Sequence, residues 1–162
     1  MKLDTFTRAY IECALWSSSA DIGDCDSCGL ENTLQAGQED CPNCGARLHG
    51  LDNSMEDHNL GIEDIAPGTL ASMIADCQTF REDNSELLAE WYDTADETED
   101  RAGHDFWLTR NRHGAGFWDR WSGGSPQAEL GRRLTDSAHA YGSSDLYLVA
   151  GTDPDTFVIH AS

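Results

Sequence analysis

Four of the six cysteines follow the pattern C-x2-C-x12-C-x2-C, as Cys25, Cys28, Cys41 and Cys44. Two residues between cysteines allow a tight turn to present both thiolates to one ion. Each second cysteine is followed by glycine, in Cys25-Asp26-Ser27-Cys28-Gly29 and in Cys41-Pro42-Asn43-Cys44-Gly45. A residue without a Cβ relieves the strain of such a turn and lets backbone N–H groups approach the sulfurs. The twelve residues between the pairs suffice for a short hairpin that returns the second pair beside the first. Four thiolates fill a tetrahedral shell and leave no position for water, so the pattern predicts a structural zinc rather than a catalytic one. An iron site, or two chance pairs, would share the spacing, and His49 lies near enough to Cys44 to be a spare ligand. Cys13 and Cys77 fall in helical apolar patterns and read as buried thiols.

Over residues 25–45 the chain resembles a zinc ribbon. Ribbons that bind nucleic acid carry lysines and arginines, whereas this one has Arg47 against Asp21, Asp24, Asp26, Glu31, Glu39, Asp40 and Asp52. Phosphate contacts need positive charge. A protein-facing or purely stabilising role is therefore expected, with direct nucleic-acid binding kept as the weaker alternative.

Charge is the second constraint. Thirty acids stand against ten bases, a net −20, and they are unevenly spread. Residues 53–105 hold fifteen acids and two bases, a net −13, while residues 106–162 hold six acids and five bases, a net −1. Such a field repels nucleic acid and anionic lipid and attracts basic surfaces. The candidate contact surface is Glu82, Asp83, Glu86, Glu90, Asp93, Asp96, Glu97, Glu99 and Asp100. Asp outnumbers Glu and Lys2 is the only lysine, a profile that also suits a high-salt or GC-rich source, where acidity serves solubility alone. Acidification of the middle but not the last third argues mildly for the first reading.

The apolar pattern predicts an N-terminal helix over residues 3–16, a cysteine module over 20–52 and a long amphipathic helix over 68–92 that begins at Pro67. Asp93 to Asp100 read as a charged linker. Phe106-Trp107-Leu108-Thr109 and Gly116-Phe117-Trp118-Asp119 read as an aromatic hairpin. Leu130, Leu134, Ala138 and Tyr141 mark a further helix ended by Gly142, and Leu146–Ala150 with Thr156–His160 flank a turn at Thr152-Asp153-Pro154-Asp155. The expected class is α+β: N-terminal helix, inserted zinc ribbon, long helix, then hairpin, helix and hairpin. Residues 1–19 and 53–162 would form one domain, with 20–52 inserted. No apolar run approaches a membrane span, so a cytoplasmic protein is expected.

The stretch Ala102-Gly103-His104-Asp105-Phe106-Trp107-Leu108-Thr109-Arg110-Asn111-Arg112-His113-Gly114-Ala115-Gly116-Phe117-Trp118-Asp119-Arg120-Trp121 resembles uncharacterised small acidic proteins encoded by phages, prophages and plasmids. The similarity extends loosely to residues 6–16, to Ile62-Glu63-Asp64-Ile65-Ala66-Pro67 and to Asp145-Leu146-Tyr147. It implies a mobile-element setting, hence a host cell's cytoplasm, with the ribbon as an insertion. Candidates for acid–base or phosphoryl chemistry in the stretch are His104, Asp105, Arg110, His113 and Asp119. The chain has no evident nucleophile pattern, phosphate-cradling loop or catalytic-metal spacing. The expectation is therefore a non-enzymatic, zinc-containing acidic protein that docks on a basic partner. One such partner is a host DNA-binding or defence complex, with carboxylates mimicking nucleic-acid charge. An enzyme with its site at the His104–Asp119 hairpin is the alternative.

Overall fold

Ten bases among thirty acids leave little room for unpaired burial, and among the described residues most acids are exposed, Glu97 and Asp105 being buried. The computed structural model describes residues 2–20, 22–25, 27–34, 40–47, 54–151 and 157–162. In chain order its elements are α1 (Thr5–Ser17), β1 (Ile22–Cys25), β2 (Leu30–Leu34), α2 (Pro67–Asp83), α3 (Ser85–Ala95), α4 (Glu99–Arg110), α5 (Pro126–His139), β3 (Leu146–Ala150) and β4 (Phe157–Ala161). The class is α+β, as expected. Two compact units share the chain: Met1–Ala14 with Leu70–Asp145, and Leu15–Thr69 with Leu146–Ser162.

The first unit is helical. Asp4 opens α1 by accepting from the Thr7 amide and hydroxyl, both at 2.9 Å. Phe6 and Tyr10 follow on its buried side and meet Phe80 of α2 and Phe106 of α4. Phe80 and Phe106 stack at 4.0 Å between centroids, with Tyr141 edge-on to both. Gly103 brings α4 against α1, because a Cβ there would collide with the Phe6 carbonyl. Ser125 caps α5, accepting from the Ala128 amide at 3.2 Å, and Pro126 occupies the first turn.

Two expectations are corrected here. Residues 106–110 are not a strand of a hairpin; they are the end of α4. Every residue from Asp105 to Arg110 is buried, so this last part of the helix shows no polar side, unlike its exposed first turn. A short apolar run buried all round has no period by which helix and strand can be told apart. Arg112, in the left-handed region at φ 58°, then turns the chain out of the helix, and Phe117 returns to donate its amide to the Thr109 hydroxyl at 3.0 Å. The long helix over 68–92 is two helices. Asn84 separates α2 from α3, its side-chain amide donating to the Phe80 carbonyl at 2.8 Å in competition with the backbone ladder. The charged linker shrinks correspondingly to residues 96–98.

The second unit contains both two-stranded sheets. β3 and β4 pair antiparallel from Leu146↔Ala161 to Ala150↔Phe157, the hairpin expected, though its turn at Thr152–Asp155 lies outside the described residues. Ile65 bridges to Ile159, and the Ala66 amide donates to the Ile159 carbonyl at 2.9 Å. β1 and β2 form the other antiparallel pair. No described helix is long and apolar enough to cross a membrane.

Phe106 is fully buried in the aromatic stack. Phe106→Ala should therefore cost about 3–5 kcal/mol in urea unfolding; a loss under about 1 kcal/mol would mean the stack does not hold the unit.

Candidate metal centre and acidic face

Cys25 ends β1, and the chain reverses at once: the Gly29 amide donates to the Cys25 carbonyl at 2.8 Å. The second pair repeats the turn, the Gly45 amide donating to the Cys41 carbonyl, also at 2.8 Å. Both glycines sit in the left-handed region, at φ 70° and 73°, which side chains with a Cβ rarely adopt. Within each turn the first cysteine is buried and the second exposed. The Cys25 and Cys44 sulfurs are 3.4 Å apart, those of Cys28 and Cys41 3.7 Å, and all four lie within 4.8 Å of one another.

Those separations fit one ion. Metal–sulfur bonds of about 2.3 Å in a tetrahedron put the sulfurs roughly 3.8 Å apart. The thiol chemistry agrees. The Ala46 amide favours the Cys44 thiolate, but the neighbouring Cys25, Cys28 and Cys41 sulfurs push this thiol up to about 12. A bound dication reverses that balance, since a coordinating thiol is deprotonated outright. The expected ligand set is thus brought together as one compact group compatible with a metal; His49 falls outside the described residues.

The acidic candidates occupy three successive elements. Glu82 and Asp83 end α2; Glu86, Glu90 and Asp93 follow on α3 at positions i, i+4 and i+7, one side of the helix. Asp96 sits in the α3–α4 connection. Glu99 and Asp100 fill the first turn of α4, where the helix dipole favours them. Eight of the nine are exposed. Glu97 is the exception and leaves the expected surface: its side chain is 5% exposed, turned in toward Arg101 at 3.6 Å and Arg120 at 4.0 Å.

Of the five acid–base candidates, His104 lies against Asp105, and Asp105 and Asp119 both act on the Arg120 charge, whereas Arg110 is bonded elsewhere. Arg110 is a structural clamp. It donates to Tyr10 Oη at 2.5 Å, to Asp76 Oδ2 at 2.8 Å, and to the Tyr141 and Gly142 carbonyls at 3.1 and 3.0 Å. Burial opposes its charge, and Tyr10 and Asp76 restore it. Asp105, 1% exposed, accepts a two-pronged pair of bonds from Arg120, both at 2.6 Å, and lies 3.4 Å from His104 Nδ1. Asp119 accepts from the Gly116 amide at 3.0 Å, and His113 is exposed beyond the end of α4. Arg120, from the same stretch, is the partner that such a buried acid needs.

Burial alone would raise the Asp105 carboxyl, yet its bonds to His104 and Arg120 hold it below the ordinary range. A carboxylate lowered on folding stabilises fully above its unfolded pKa, about 3.9, and that stability is lost as pH falls through the folded value. The stability gap between the native chain and Asp105→Asn should be complete at pH 6 and shrink below about pH 4 in denaturant melts; a constant gap would refute this. Arg110→Lys should cost about 2–4 kcal/mol, because an ammonium cannot reproduce the four-bonded fork. No family model, curated protein or solved structure matches the chain.

Proposed function

We propose that this chain is a non-enzymatic interaction protein that docks its acidic face on a basic protein surface, with a structural zinc closing the cysteine module. The observation that carries the docking reading is the exposure of eight carboxylates from Glu82 to Asp100, on consecutive elements of one unit. Among the described residues, the bases on that stretch are Arg81 and Arg101. Arg81 is occupied by Asp4 at 3.2 Å and Glu99 at 3.9 Å, and Arg101 by Glu97. The face therefore has little internal neutralisation.

Zinc is the ion that four thiolates and no open position suit best. Its role is mechanical. The described apolar cluster at the module is Cys25 and Cys41 with Ala46 packed against them, and four metal–sulfur bonds would reinforce it. The resemblance to phage, prophage and plasmid proteins supports a mobile-element setting in a host cytoplasm. There the partner would be a host nucleic-acid-binding or defence complex, with carboxylates in place of phosphates.

Attraction of this kind is screened over about 10 Å at 0.1 M salt and about 30 Å at 0.01 M. Pull-down from the source cells at low salt, followed by stepwise salt elution, should release a basic protein or complex over a narrow salt range. The triple reversal Glu86→Lys, Glu90→Lys and Asp93→Lys should abolish its capture. Binding that ignores ionic strength, or survives the reversal, would end the docking reading.

A further inference from the structure

A groove with a volume of about 400 Å³ lies along the helical unit, bordered by Arg81 and Glu82 of α2, Ser85, Leu88 and Tyr92 of α3, and Glu99 of α4. The size falls in the range of about 300–1,000 Å³ typical of ligand sites. Its lining combines three features. Buried Leu88 and half-buried Tyr92 supply apolar and flat aromatic surface. Arg81, the groove's own cation, pairs with Asp4 at 3.2 Å and lies 5.6 Å over the Phe6 ring. Glu82 and Glu99 remain as exposed carboxylates; among the described residues no cation pairs with Glu82, and Glu99 shares Arg81 only at 3.9 Å.

We infer that this groove is the receptor for a single arginine side chain of the basic partner, its stem against Leu88 and its guanidinium between Tyr92, Glu82 and Glu99. Arginine fits better than lysine: a planar, weakly hydrated cation stacks on an aromatic face and forks to carboxylates, whereas an ammonium keeps its water. Burial, and then the Glu99 carboxylate against the opposing Arg81 charge, pushes the Tyr92 phenol up to about 12. The face on α3 would then supply long-range attraction, and the groove the fixed point that sets register. This inference rests on the docking reading above, so its test must fail separately from it.

The test is an NMR titration of the whole chain at low salt with the peptide acetyl-Gly-Gly-Arg-Gly-Gly-amide and its citrulline counterpart, which keeps the shape but not the charge. The arginine peptide should shift the amides of Glu82, Ser85, Tyr92 and Glu99 saturably, at least tenfold more tightly than the citrulline peptide. Glu82→Gln with Glu99→Gln, both exposed and so harmless to folding, should weaken it about tenfold. The triple reversal on α3 should leave the groove shifts in place. Equal binding of the two peptides, shifts confined to Glu86–Asp93, or no saturable shift would overturn the groove. Octa-arginine separates the two ideas: if it still binds with steep salt dependence the face stands without the groove, and if it too fails to bind both fall.

Discussion

Four sulfur atoms within 4.8 Å of one another are a constraint that the rest of their module obeys. Two turns of the same geometry, each closed by a glycine amide on a cysteine carbonyl and each using a left-handed glycine, exist to bring those sulfurs together. A two-stranded ladder such as β1–β2 is marginal by itself in water. Among the described residues Ala46 packs against the buried Cys25 and Cys41, and a metal held by the four sulfurs would add cohesion there. The exposure of Cys28 and Cys44, against the burial of Cys25 and Cys41, leaves one side of that cluster facing water.

The helical unit solves a different problem, that of holding a strongly acidic chain together. Its centre is apolar and aromatic, and the charges it does bury are matched. Arg110 meets Asp76, Tyr10 and two carbonyls; Asp105 meets Arg120 in a fork. Those scarce arginines are spent inside, on α4 and the segment after it, and among the described residues no ion pair reaches the acids on α3. Inward pairing and outward excess are thus two sides of one allocation of positive charge, and the excess is what a basic partner would meet.

Much of this was legible in the residues. Cysteine spacing named all four members of the sulfur cluster, because metal ligation imposes a strict local geometry. The β3–β4 hairpin followed from two short runs flanking the turn residues Thr152-Asp153-Pro154-Asp155, and α1 from the i, i+4, i+7 recurrence of Phe6, Tyr10 and Cys13. The segment 102–121 misled because burial on every side of α4 from Asp105 onward removes the polar stripe that distinguishes a helix, and Phe-Trp pairs favour strands when read alone. Asn84 fitted the helical spacing of its neighbours, and only its bond back to Phe80 shows that it ends one helix and begins another. Glu97 sits amid exposed acids in the chain, yet it is buried beside Arg101, four residues on, and Arg120, twenty-three residues on. The groove was invisible for the same reason, since Glu99 joins Glu82 and Tyr92 only through the packing of α4.

Metal content is the most direct test of the account. Elemental analysis of the chain, purified without chelator, should find zinc equimolar with protein and none in a Cys25→Ser, Cys41→Ser variant, because four thiolates close one tetrahedral shell. A folded chain that carries no metal at all would contradict it.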